Sequence, residues 1–133
     1  GKGVLVGDQF ALTAGHVVSI RNFGGWASQV LVSPGLDASS PPNNLPYGQY
    51  YSYQGKATNL WTDYEDSDVD FALLKLDRAV TNRQGNTPGS MGIAALSENA
   101  LDRQWINVTG YPGDKGIPDP NIPIIAQDGG RTL

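Results

Sequence analysis

The chain has no cysteine, a single histidine, and no apolar run that approaches the ~20 residues a membrane-spanning helix requires. Each absence removes a class of function. Without cysteine there can be no disulfide and no thiolate zinc site, although the compartment stays open, because many secreted bacterial proteins also lack cysteine. Positive charge is short as well: nine Lys and Arg stand against 13 Asp and Glu, giving a net charge of −4 and a pI near 4.7. That balance speaks against a nucleic-acid partner, which would need a basic surface. No membrane partner is expected either. Sustained helical periodicity and internal repeats are also missing.

What is present favours short strands joined by turns. The 133 residues suit one ordinary domain and include 17 glycines and nine prolines. Gly3-Val4-Leu5-Val6-Gly7 and Phe10-Ala11-Leu12-Thr13 read as a hairpin, and Gln29 to Val32 as the next strand. Residues 37–46 read as an exposed Ser/Pro/Asn-rich loop. Tyr47 to Thr62 is expected to form one long bent strand or a hairpin, and Asp63 to Asp68 an acidic turn. Phe71-Ala72-Leu73-Leu74-Lys75-Leu76 is the clearest core strand. Trp105 to Thr109 and Ile122 to Ala126 are further strands, one short helix could lie within residues 92–104, and Asp128-Gly129-Gly130 reads as a hairpin turn. This spacing suggests an all-β sandwich or barrel.

The single histidine lies in Leu12-Thr13-Ala14-Gly15-His16, just past a core strand. Gly15 is expected to supply torsions closed to other residues. A histidine on such a corner can be held in one orientation at a surface; the plain alternative is a hydrogen-bonded structural histidine. Among the acidic residues, Asp70 alone directly precedes the core run, where burial beside an imidazole would have a purpose. Asp63, Glu65, Asp66 and Asp68 compete with it. All five could merely solvate a turn, or Asp63, Glu65 and Asp68 could bind calcium through oxygen, although no calcium-loop spacing is present.

These segments carry a resemblance. GVLVG followed by LTAGH is similar to the histidine segment of trypsin-like serine peptidases, and Asp70-Phe71-Ala72-Leu73-Leu74-Lys75-Leu76 resembles their aspartate segment. Val108 to Lys115, containing Gly-Tyr-Pro-Gly-Asp, resembles the strand that opens the second barrel, especially in the bacterial glutamyl-endopeptidase-like branch. Val17 stands where animal members usually carry a half-cystine. The resemblance implies an antiparallel, six-stranded-type barrel over residues 1–103, with a strand core at 3–80 and a linker at 81–103. Residues 104–133 would then be the opening strands of a second barrel.

The implied activity is peptide-bond hydrolysis through an acyl-enzyme, with His16 as base, Asp70 as its orienter, no cofactor and no metal. The implied partners are a polypeptide substrate and the remaining C-terminal half of the protein, in a secreted, bacterial setting. The nucleophile turn, Gly-Asp-Ser-Gly or Gly-Asn-Ser-Gly, occurs nowhere in the chain. Ser90, in Gly89-Ser90-Met91-Gly92, imitates it without the preceding Asp or Asn. The chain is therefore expected to be truncated at both ends and inactive alone. The alternative is a noncatalytic homologue that keeps the barrel as a binding or structural module. Asn107-Val108-Thr109 matches a glycosylation acceptor but falls in an expected strand, and the Tyr47, Tyr50, Tyr51, Tyr53 cluster fits a strand face better than a sugar site.

Overall fold

The computed structural model describes residues 1–37, 44–102, 104–110 and 126–131. The backbone forms two compact units, one from Gly1–Leu36 with Leu45–Gly92, the other from Asp37–Asn44 with Ile93–Leu133.

The first unit is built on a five-stranded antiparallel sheet. Its strands are β1 (Gly3–Gly7), β2 (Phe10–Thr13), β5 (Val30–Val32), β6 (Tyr50–Ala57) and β7 (Ala72–Leu76), in the order β1-β2-β7-β6-β5. A short ribbon of β3 (Ser19–Ile20) and β4 (Gly25–Trp26) accompanies it. The sheet curls into a half-barrel, which is the all-β architecture the alternating runs imply. Its core holds Ala11, Val18, Tyr50, Ala72, Leu74, Leu76 and Val80. Along β7 the inward set Ala72, Leu74, Leu76 alternates with half-buried Leu73 and exposed Lys75, the period-2 signature of a strand with one covered face.

Residues 47–62 depart from the expected bent strand or hairpin. Strand β6 runs only from Tyr50 to Ala57, with a bulge between Ser52 and Gln54, and is followed by helix α2 (Asn59–Tyr64). The reason is local. The Thr58 side chain accepts a hydrogen bond from the Trp61 N–H and caps the helix, while Glu65 closes it in the left-handed region at φ 52°. Of the expected acidic turn from Asp63 to Asp68, Asp63 belongs to α2, and a 3-10 turn follows over Ser67–Val69.

In the second unit, helix α3 (Glu98–Leu101) is capped by the Ser97 hydroxyl. Strands β8 (Trp105–Gly110) and β9 (Ala126–Arg131) pair antiparallel. Asp128-Gly129-Gly130 is thus part of β9, with Gly129 opposite Asn107, and not a hairpin turn. Most of the expected Ile122–Ala126 strand and of the Gly-Tyr-Pro-Gly-Asp segment lies outside the described residues. Among the described residues no helix is long and apolar enough to cross a membrane.

Candidate active site

His16 sits on α1 (Gly15–Val18), a single helical turn reached directly from β2 through Ala14. Gly15 does not occupy the left-handed region, so the expected torsional reason for glycine is wrong. The actual reason is space. A Cβ at Gly15 would lie 2.7–2.9 Å from Nε1, Cδ1 and Cε2 of the Trp61 indole. Only glycine permits so close an approach.

Asp70 reaches the same place from the other side of the sequence. It follows the 3-10 turn with φ −74° and ψ 67°, and the Phe71 N–H bonds to the Val69 carbonyl at 2.8 Å. Those values describe an inverse γ-turn, a tight reversal common where strands begin. It turns the carboxylate aside just before the chain enters β7.

The two residues meet at two points. His16 Nδ1 and Asp70 Oδ2 are 2.6 Å apart, and the His16 backbone N–H donates to Asp70 Oδ1 at 2.8 Å. Each carboxylate oxygen thus has its own partner, which fixes the carboxylate plane and the ring together. The exposures differ in a useful way: the imidazole is 59% exposed and the carboxylate 25%. Partial burial pushes the Asp70 carboxyl up, but the bonds from the His16 ring and backbone, the His16 charge and the Gly15 backbone outweigh it. The carboxyl ends below its usual range.

Two of the competing acidic residues have other occupations. Glu65 accepts from the Arg21 backbone N–H at 2.8 Å, and Asp66 accepts from the Asp68 N–H at 3.0 Å. Among the described residues no three His, Cys, Asp or Glu are grouped to hold a metal ion. Ser90 is exposed, beside Met91 whose N–H bonds to the Leu5 carbonyl at 2.8 Å. No hydrogen bond joins it to His16 among the described residues. Asn107 and Thr109 lie in β8, paired with β9. The tyrosines divide: Tyr50 is buried, while Tyr51 and Tyr53 stack on the outer face with ring centres 6.1 Å apart. Sequence reasoning weighs Glu65 only as a competitor of Asp70 or a calcium ligand and gives Trp61 no place near His16, because both contacts depend on which turns these side chains reach.

The geometry invites comparison with solved structures. Over 97% of its length, the chain superposes on 55% of a Glu endopeptidase solved in complex with MPD, with a TM-score of 0.75 at 26% identity. The chain corresponds to the N-terminal part of the trypsin-like serine-peptidase fold. A thermostable serine protease, AL20, from an extremophilic microorganism shares that fold at a TM-score of 0.67 and 18% identity, over 97% of this chain and 57% of the other. Curated relatives are an extracellular metalloprotease of Bacillus subtilis, 33% identical over 113 residues, and a glutamyl endopeptidase of Bacillus licheniformis, 28% identical over 113 residues. Each alignment takes in 85% of this chain, which spans only 33% of the length of either relative. No family model matches the chain.

The name of the Bacillus subtilis relative invokes a metal. Among the described residues no group of His, Cys, Asp and Glu side chains could hold one, and the Nδ1 of the chain's one histidine is already engaged by Asp70. A catalytic zinc ordinarily takes three protein ligands. The homologues of this chain are peptidases, and the half-barrel here is the corresponding part of that fold.

Proposed function

We propose that this chain supplies the general base and its orienting carboxylate to a secreted serine endopeptidase acting on polypeptides. The observation that carries the reading is the two-point contact of Asp70 with His16, made through both Nδ1 and the backbone N–H. A serine hydroxyl is a weak nucleophile at neutral pH. With Nδ1–H held by Asp70, Nε2 is the ring atom free to accept the serine proton as Oγ bonds to the scissile carbonyl carbon. The imidazolium then returns that proton to the leaving amine as the carbon–nitrogen bond breaks. Asp70 stays ionised throughout and stabilises the charge on the ring, a role its lowered pKa suits. Water repeats the cycle to release the acyl group.

The nucleophile and oxyanion donors belong to sequence other than this chain, which lacks the nucleophile turn. Residues 1–103 would form the first barrel with its linker, and residues 104–133 the opening of the second; the β8–β9 pairing supports that division. The test is His16→Ala in the full-length protein, assayed on a peptide substrate. The expected result is a fall in kcat of about 10⁴-fold or more with KM little changed. Full activity in the variant would show that His16 is not the base, whereas a full-length wild-type protein that cleaves no peptide would leave the noncatalytic reading in its place.

A further inference from the structure

Two stretches of the first unit, residues 15–21 and 61–70, touch at several separate points. The His16–Asp70 pair accounts for only one end of that seam. At the other end Glu65 Oε1 accepts from the Arg21 N–H at 2.8 Å. Between them lies Trp61, buried, with its indole against Gly15 and its Nε1–H donating to the Ser19 carbonyl at 3.2 Å. Gly15 is the first residue of α1 and Ser19 the residue that caps its end. The indole therefore holds both ends of the one-turn helix that carries His16.

A single turn has too few internal bonds to fix its own orientation. Its direction must come from what it rests on, and that is Trp61. The same residue lies on α2, whose C-terminal end continues through Asp66 and the 3-10 turn into Asp70. Backbone bonds link that path step by step: Asp66 N–H to Leu60 carbonyl at 3.1 Å, Val69 N–H to Asp66 carbonyl at 3.1 Å, Phe71 N–H to Val69 carbonyl at 2.8 Å. Glu65 adopts a left-handed backbone that favours glycine, yet here it carries the side chain that reaches Arg21.

We infer that Trp61 and Glu65 are positioning residues that set the distance and angle between His16 and Asp70. This rests on the reading of His16 as the base. Neither side chain touches substrate; both act by fixing the turn that bears His16 relative to the turn that bears Asp70. Misplacement of a reacting group by 1 Å can cost about 100-fold in rate, so even partial loosening should appear in kcat.

The test uses the full-length protein and four variants. Trp61→Phe keeps an apolar ring but removes the indole N–H, and should lower kcat about tenfold while KM stays within about twofold. Its downfield Nδ1–H proton resonance of His16 should broaden or shift. Glu65→Ala, at an exposed position, should lower kcat about threefold, and Glu65→Gln, which keeps an acceptor oxygen, should restore it. If Trp61→Phe fails to fold, the Glu65 pair alone decides. Unchanged kcat and an unchanged resonance in folded Trp61→Phe, or equal kcat in Glu65→Ala and Glu65→Gln, would overturn the inference. His16→Ala serves as the control: if it too keeps full activity, the reading of the site has failed, and not merely that of its supports.

Discussion

Asp70 shows how much one carboxylate can be asked to do. Its two oxygens hold a ring nitrogen and a backbone N–H of the same residue, and its pKa sits below the usual carboxylate value of 3.8. A group whose folded pKa is depressed stabilises the fold above the unfolded pKa, and that contribution disappears as pH falls through the folded value. The unfolded chain takes up the proton first. The margin in unfolding free energy between wild type and Asp70→Asn should therefore shrink as pH is lowered from about 5 to below 3. Urea unfolding of the full-length proteins at a series of pH values measures it. A margin that stays constant over that range would mean that the His16 contacts do not favour the ionised carboxyl.

At the scale of elements, the bonds around Tyr50 tie β6 to the segment after β7. The Tyr50 hydroxyl donates to the Thr81 carbonyl at 3.1 Å and accepts from the Thr81 N–H at 3.0 Å, and the Arg78 guanidinium lies 4.2 Å above its ring. Tyr50→Phe keeps the ring and the cation contact but leaves both Thr81 groups without that partner. It should cost about 1–2 kcal/mol in chemical denaturation, with the sheet intact. A loss below about 0.3 kcal/mol would show that water replaces the hydroxyl without penalty. Strands such as β1, β2 and β7 were readable because each is a short apolar run in which alternation or β-branching dominates. Helix α2 was not: Trp61 and the tyrosines before it have strand-like character, and the helix depends on one capping bond from Thr58. Likewise Asp128-Gly129-Gly130 within β9 reads as a turn from composition alone, and only pairing with β8 makes it extended. The LTAGH and DFALLKL segments mark where histidine and carboxylate stand. Nothing in the sequence announces that Trp61 underlies Gly15, since that contact joins residues 46 positions apart and exists only once the sheet has formed.

At the scale of the whole molecule, the chain matches 55% of the Glu endopeptidase chain and carries the His16–Asp70 pair without a nucleophile turn. A serine becomes reactive only with an imidazole in hydrogen-bond reach and donors placed for the developing oxyanion. Among the described serines, Ser52 is buried with its hydroxyl 2.7 Å from the Lys75 carbonyl, and Ser19 is buried under the indole of Trp61. Ser97 caps α3, and Ser90 is exposed with no bond to His16. None of these serines has the bond to His16 that activation requires. The 133-residue chain by itself should thus leave a serine-directed phosphonate unreacted and peptides uncleaved, while the full-length protein takes up one equivalent of probe at a serine beyond this chain. Intact-mass measurement after incubation with the probe distinguishes the two. Stoichiometric labelling of any serine in the isolated chain would place the nucleophile here after all, and His16 would then have to serve a different partner from the one proposed.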